Sequence, residues 1–332
     1  MQISVILCTC NRHLYLRKVL DSIASSVVPA AVAWEVLVVD NNSSDQTQEV
    51  AKESAARYPG RIRYVLEPRQ GKSHALNTGI RESRGGVLVF VDDDVTVEPA
   101  WLWNLTRALA DGEWAGTGGR TLLAESFSPP RWLALSGPYR LEFVLAPLFD
   151  LGDGPCELKN PPYGANMAYR KEMFEKYGLF RTDMGPSSDP EIPRPNEDTE
   201  FGRRLMAAGE RLRYEPSAIV YHPVHKNRID KNYFLGWWFD HGRAGIREAG
   251  QRPDIWGIQR RYWSLAKITG VVLTVRALRW MLAMNPSKRF YCKCLVWATA
   301  GQIAEVYRHW GPLKTPTAGA EEDRNAVCKA RS

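Results

Sequence analysis

Four short apolar runs in the first hundred residues each stop at a polar loop, and that punctuation limits the folds open to this chain. Residues 3–7, 34–39, 62–66 and 87–91 have the length and apolar character of buried strands. Between them, residues 14–25, 46–57 and 73–82 read as helices, with Leu16, Leu20 and Ile23 sharing one face of the first. This β-α-β-α order predicts an α/β fold, a mostly parallel central sheet flanked by helices on both faces. Ligands of such sheets sit at the carboxyl ends of the strands. The polar residues gather there: Thr9-Cys10-Asn11-Arg12, Asp40 through Asp45, Glu67 through Lys72, and Asp92-Asp93-Asp94.

The last of these loops is the most informative. Three carboxylates follow the run Val87-Leu88-Val89-Phe90-Val91 directly. They repel one another, and burying them unpaired is costly. A divalent cation is the simplest remedy, because hard cations take carboxylate oxygens and keep positions open for phosphate. A solvated acidic turn is the alternative.

The 332 residues leave room for one large domain with an appendage, or for two domains. With 24% charged and 44% hydrophobic residues, a disordered chain is excluded. Cys8, Cys10, Cys156, Cys292, Cys294 and Cys328 are scattered without a CxxC pair, which favours reduced thiols in a cytosolic setting. The opening residues 1–7 lack the basic region of a secretory signal. The net charge of +7 is uneven: residues 226–312 hold fifteen Lys/Arg against five Asp/Glu, leaving 29 basic and 32 acidic residues elsewhere. Seven of the twelve tryptophans also lie in that segment: Trp237, Trp238, Trp256, Trp263, Trp280, Trp297 and Trp310.

Beyond the first half, residues 129–154 are rich in Pro, Leu and aromatics with no clear period. Residues 163–170 read as a turn entering a strand. Residues 184–196 hold four prolines with Gly, Ser and Asp, the composition of a mobile loop. A helix then starts at Asn196-Glu197-Asp198-Thr199-Glu200, whose carboxylates suit a helix N-terminus. Its apolar face is read as Phe201, Leu205 and Ala208, and it stops near Gly209. Residues 218–221 form a last short strand, closed by His222-Pro223.

Taken in order, Thr9-Cys10-Asn11-Arg12, the segment from Val39 to Asp45, Gly71-Lys72-Ser73-His74-Ala75-Leu76-Asn77-Thr78-Gly79, Asp92-Asp93-Asp94, Gly164-Ala165-Asn166 and Glu197-Asp198 resemble family 2 glycosyltransferases of the GT-A (Rossmann-like) fold. The resemblance covers residues 1–225. It implies a catalytic domain there, with a nucleotide-sugar half over 1–120 and an acceptor half over 121–225. On the donor side it implies Thr9, Asn11, Arg12, Asp40, Asn42, Glu67, Lys72, Asn77, Asp92, Asp93, Gly164, Ala165 and Asn166. Asp40 would meet uracil or ribose, with Thr9 and Asn11 beside the base. Asp93 would contact the donor sugar, and Gly164-Ala165-Asn166 would shape its pocket. An Mn²⁺ or Mg²⁺ ion would sit on Asp94, Asp92 and His222, offsetting charge on the departing diphosphate. Asp198, assisted by Glu197, would take the acceptor proton, one base sufficing for direct displacement with inversion.

The implied activity is transfer of a sugar from a nucleotide-diphosphate donor, with UDP favoured, to a hydroxyl on a glycan or lipid-linked envelope acceptor. A nucleotidyltransferase on a related sheet is the enzymatic rival. A noncatalytic nucleotide-sugar-binding or membrane scaffold is the other, and the intact Asp92–Asp94 and Glu197-Asp198 clusters argue against it.

Residues 226–312 lie beyond the match and read as a basic, Trp-rich helical appendage. Their uncharged runs are eight residues (268–275) and eleven (294–304), short of the roughly 18–20 needed to span a bilayer. The arginines do not fall cleanly on one helical face. Lys/Arg and Trp around short apolar helices is the composition of an interfacial anchor, so the expected location is cytoplasmic, peripheral on the inner face of the cytoplasmic membrane. Packing on the catalytic body or on a second subunit is the alternative. The basic charge also suits nucleic acid, but no nucleic-acid module is evident. Residues 313–332 read as a disordered tail.

Overall fold

Strand register is what brings the polar loops together. In the computed structural model, which describes residues 1–249 and 267–308, strands β1 (Gln2–Thr9), β2 (Ala33–Asp40), β3 (Ile62–Leu66) and β4 (Val87–Val91) run parallel in the order β3-β2-β1-β4. Thr9 pairs with Asp40, Asp40 with Leu66 and Leu7 with Val91, so all four strands release their loops at one edge. The helices α1 (His13–Ala24), α2 (Thr47–Arg57) and α3 (Lys72–Glu82) make the crossovers.

Period-two alternation sorts the strand residues between two cores. Ile3, Val5 and Leu7 of β1 with Val36 and Val38 of β2 face α1, α2 and the short helix α4 (Trp101–Thr106). Ile6, Leu37, Val39, Leu88 and Phe90 face α3, α6 (Glu172–Tyr177) and α7 (Glu197–Ala207). There Phe174 stacks on Phe201 with ring centroids 4.3 Å apart. Ala208, expected on the buried face of α7, lies beyond the helix end and is exposed.

Beyond β4 the sheet becomes mixed. It continues through β8 (Asn166–Arg170), β6 (Gly116–Leu123), β9 (Leu212–His222) and β5 (Thr96–Val97), with β7 (Cys156–Glu157) paired to β9. The last strand is longer than residues 218–221, because the register slips between Gly119 and Arg120 where Pro216 lies. A proline cannot donate to the ladder, so the strand continues past it through a bulge. β6 carries no readable apolar pattern because Gly116, Gly118 and Gly119 sit where a Cβ would collide with Tyr169, Pro162 and Asn166.

The C-terminal helices share a third core with the second half of the chain. Leu133, Leu141, Val144 and Leu145, the last two on α5 (Glu142–Leu145), pack against α8 (Lys231–Ala249) and α10 (Pro286–Arg308). Gly242 of α8 and Gly301 of α10 each meet the backbone of the other helix, at Ala298 and Phe239, so neither position has space for a side chain. Deep in this contact the carboxylate of Glu305, fully buried, accepts from Arg243 Nε at 3.1 Å and Arg247 Nε at 2.5 Å.

The same arginines reach residues 184–196. Arg243 donates to the carbonyls of Pro190 and Glu191, Arg247 to those of Asp183 and Glu191, and Arg194 pairs with Asp240 at 2.6 Å. From the other side Lys72 N donates to Pro186 O at 2.7 Å and Ser73 Oγ to Met184 O at 2.9 Å. The segment is irregular in backbone, as its prolines require, yet it is tied at both flanks rather than hanging free.

Between α8 and α10, a π-helical segment Lys267–Leu273 runs into α9 (Thr274–Met281). Arg276 turns inward to Leu295 O and Thr299 Oγ1, while Arg279 stays exposed, which explains why the arginines do not line one face. Among the described residues no helix is long and apolar enough to cross a membrane. The tail expected over 313–332, and Trp256, Trp263 and Trp310, lie outside the described residues.

Candidate active site

Asp94 sits at the centre of the site. Its side chain is almost fully buried, and the two oxygens have different company. Oδ2 accepts from Arg12 Nη1 at 2.5 Å and meets His225 Nε2 at 2.7 Å. Oδ1 lies 3.5 Å from His222 Nε2 and has no hydrogen-bond partner. A buried carboxylate oxygen without a donor is rare enough to require a ligand or a cost. Together Asp92, Asp94 and His222 offer three ligand atoms that all lie within 4.8 Å of one another.

His222 is prepared for such a role. Its Nδ1 lies 2.7 Å from Pro223 O, so Nδ1–H donates there and Nε2 keeps its lone pair facing the carboxylates. Burial pushes the imidazole below its usual pKa, against the pull of Asp94 and Asp92, and this favours the neutral, ligating form. Burial by itself would raise Asp94, but His225, His222 and Arg12 together hold it well below the carboxylate range. The residue set therefore fits a hard divalent cation: two carboxylates just after β4 and an imidazole at the last residue of β9.

Lys72, the first residue of α3, links this cluster to the acidic turn of α7. Its Nζ is 2.9 Å from Asp92 Oδ1 and 3.6 Å from Glu197 Oε1. Burial disfavours the ammonium, but Asp92, Glu197 and Asp198 outweigh it and hold Lys72 firmly protonated. Asn196 enters α7 in the left-handed conformation, φ 85°, which an asparagine tolerates. That turn buries Glu197 and leaves Asp198 partly exposed. Burial and the neighbouring Asp198 push Glu197 upward despite Lys72. Asp198 is oriented at both oxygens: Gly164 N donates to Oδ2 and Thr199 N to Oδ1, each at 2.6 Å.

On the first strands, Asp40 is buried, accepting from Ser43 N at 3.0 Å and Tyr64 Oη at 2.9 Å. Asn11 and Asn42 adopt positive φ (54° and 59°), and Asn11 Oδ1 accepts from Ser44 N at 2.8 Å, joining the β1 and β2 loops. Glu67 accepts from Arg69 and from Thr78; burial would raise it, and these donors bring it down to about 2. Asp93 turns to Arg12 Nη1 at 3.2 Å; its burial, opposed by Arg12 and reinforced by Asp94, raises it to about 7. Thr9 is buried beside it at the end of β1, and Ala165 is buried next to Gly164.

Two residues expected on the donor side are engaged elsewhere. Asn77 clasps the backbone of Phe180, donating to its carbonyl at 2.8 Å and accepting from its N–H at 3.0 Å. Asn166 accepts from Trp101 Nε1 of α4 and donates to Arg120 O of β6 and Ala218 O of β9. In this structure both amides clamp neighbouring segments through backbone or indole partners.

Sequence reasoning missed His225 and Asn41. His225 lies three residues beyond His222, and its signal was the His-Pro-Val-His spacing after the last strand. Asn41 donates to Glu67 O and Arg69 O and accepts from Gly71 N at 2.7 Å, so it shapes the loop that carries Lys72.

The sequence profile described as Glycosyl transferase family 2 matches residues 4–178. The succinoglycan biosynthesis protein ExoM of Rhizobium meliloti is 26% identical over 78% of this chain and 80% of its own length. A glucosyl-dolichyl phosphate glucuronosyltransferase of Haloferax volcanii is 22% identical over 72% and 75% of the two chains. Among solved structures, the mannosyltransferase PcManGT from Pyrobaculum calidifontis, in complex with GDP-Man and Mn²⁺, aligns with a TM-score of 0.52 at 21% identity, over 98% of this chain and 79% of that one. At that identity the likeness shows the fold, a GT-A sheet, and nothing finer.

Proposed function

The chain belongs to glycosyl transferase family 2, and we propose that it moves a sugar from a nucleotide-diphosphate donor, UDP favoured, to a hydroxyl acceptor by one inverting displacement. The observation that carries this reading is that Lys72, half-buried, joins the cluster of Asp92, Asp94 and His222 to Glu197, whose neighbour Asp198 is oriented and partly exposed. Asp92, Asp94 and His222 would hold Mn²⁺ or Mg²⁺, which when bound offsets charge on the diphosphate leaving group.

The chain's own groups supply the rest. Asp40, Thr9, Asn11 and Asn42 shape the nucleotide side at the ends of β1 and β2. Arg12 and His225 fix Asp94 so that its Oδ1 faces His222. Asp198 takes the acceptor proton: each oxygen holds one internal donor and keeps a second lone pair for the incoming hydroxyl. Glu197, buried against Lys72, assists by keeping that ammonium beside Asp92.

Product identity tests the reading. Wild-type protein with Mn²⁺, a panel of UDP-, GDP- and dTDP-sugars and a sugar acceptor is expected to release nucleoside diphosphate. Release of pyrophosphate would convert the assignment to nucleotidyl transfer. The matching donor, at a hundred times its Kd, is expected to stabilise the fold by about 2.7 kcal/mol, a shift of several degrees that EDTA removes.

The proposal extends to the acceptor and its location: a glycan or lipid-linked acceptor, met at the cytoplasmic face of a membrane. This reading is supported by the names of two relatives, a succinoglycan biosynthesis protein and a glucosyl-dolichyl phosphate glucuronosyltransferase. Val275, Leu278 and Met281 of α9 are exposed, as are Val271 in the segment before it and Leu282 and Met284 after it. Arg279, Lys288 and Arg289 are exposed close by in sequence, which suits an anionic surface. The double change Leu278→Glu with Leu282→Glu is expected to abolish co-sedimentation with vesicles rich in anionic lipid. Equal sedimentation of variant and wild type removes the anchor. Point changes are the proper probe here, since deleting 226–332 would also release the arginines that tie residues 184–196.

A further inference from the structure

Three buried polar atoms without hydrogen-bond partners lie around one aromatic corner: Glu142 Oε2, Trp238 Nε1 and His241 Nδ1. Phe143 stands in the middle, its ring 5.5 Å from Trp237 and 6.0 Å from Trp238. Trp237 stacks on His241 at 5.1 Å with planes 10° apart, and Trp238 meets the same imidazole edge-on at 5.6 Å. Glu142, Phe143, Trp237 and His241 are each half-buried, so the corner reaches solvent while its polar atoms lie just beneath.

Two residues, Tyr163 and Arg203, relate this corner to the surroundings of Asp198. Tyr163 directly precedes Gly164, whose N–H holds Asp198, and its phenol feels both Asp198 and Glu142. Across the helix, Arg203 reaches Thr199 Oγ1 at 3.3 Å and also acts on His241. A fold ordinarily pairs its buried polar atoms. Here one oxygen of Glu142, whose other oxygen lies 3.3 Å from Arg140 Nε, an indole donor and an imidazole nitrogen are left without hydrogen-bond partners among aromatic faces. Ligand sites have that composition: apolar and aromatic walls with a few convergent polar groups.

We propose that the corner formed by Glu142, Phe143, Trp237, Trp238 and His241 binds a pyranose ring of the acceptor, so that the acceptor is a saccharide rather than a bare alcohol, phosphate or protein side chain. The proposal rests on the transfer reading for Asp198. A pyranose has an apolar C–H face that lies on an indole and a rim of hydroxyls that both donate and accept. Glu142 accepts a hydrogen bond from a sugar hydroxyl, Trp238 N–H and His241 supply the complementary positions, and Trp237 carries the ring face.

Ligand-detected NMR on the full chain tests this without requiring turnover. The probes are methyl and octyl glycosides of glucose, galactose and mannose. At least one is expected to show saturation transfer from the wild-type protein, and Trp237→Ala and the isosteric Glu142→Gln are each expected to weaken it about tenfold. Both variants are expected to keep metal-dependent stabilisation by the donor, which shows that they fold. Signal from methyl glycosides marks a site for glycans in general; signal from octyl glycosides alone marks a lipid-linked sugar. No signal from any glycoside, or signal unchanged in both variants, overturns the proposal. The transfer reading falls separately, on pyrophosphate release, and saccharide binding at this corner would survive that result.

Discussion

Asp94→Asn is expected to abolish metal-dependent donor binding, lowering Mn²⁺ affinity in the presence of nucleotide by on the order of a hundredfold or more. The change keeps size and removes charge where the structure has arranged most to keep it. Asp94 Oδ2 is held by Arg12 and His225, and the remaining oxygen faces His222 with no donor of its own. An amide can satisfy only one of those demands. With its oxygen toward Arg12 and His225, the NH₂ group would point at the position where Oδ1 stood; reversed, it would oppose the guanidinium. Titration calorimetry of Mn²⁺ with UDP reads the effect. Asp93→Asn is the comparison, since Asp93 faces Arg12 rather than His222, and its metal affinity is expected to stay within a few-fold of wild type. Unchanged affinity in Asp94→Asn would sink the metal assignment, and equal losses in both variants would sink the choice of register.

The second large effect is expected on turnover alone. Asp198→Asn is expected to retain metal-dependent stabilisation by the donor and to lose about 10²–10⁴-fold in transfer rate, the usual worth of a positioned base. Asn cannot take a proton, and the neighbouring carboxylate is no substitute. Glu197 is buried against Lys72, so its charge serves the lysine–aspartate contact instead of the open side. Steady-state rates at saturating donor, with the thermal shift as the folding control, check the outcome. Near-normal turnover would remove Asp198 as the base. Loss of donor stabilisation together with turnover would mean that the Gly164 and Thr199 hydrogen bonds support the whole site rather than one proton transfer.

The first half of the fold was legible because local chemistry and global position agree there. Buried runs such as Val87–Val91 are apolar on both faces, their helices show a 3.6-residue period, and the sheet leaves polar residues only at strand ends. β6 was not legible. Its glycines are set by what lies against them, Tyr169, Pro162 and Asn166, and none of these is near in sequence. The partners of two amides were hidden for the same reason. Asn77 and Asn166 fall inside motif-like segments, but an asparagine is equally suited to clasp a backbone 103 residues away.

For the candidate site, the residue types and their order were legible; their partners were not. By itself the sequence determined a parallel sheet with acidic groups at its carboxyl edge, because strand period and hydrophobic burial are local rules. It determined that Asp92, Asp93 and Asp94 leave the core together, and that Glu197 and Asp198 open a helix. Only the tertiary structure decided which oxygen of Asp94 faces which histidine, since His225 comes from 131 residues away. The tertiary structure alone also joined Lys72 to both Asp92 and Glu197, and stacked Trp237 on His241. Contacts of that range depend on how the sheet, its crossovers and the C-terminal helices close upon one another, and no window of sequence contains that closure.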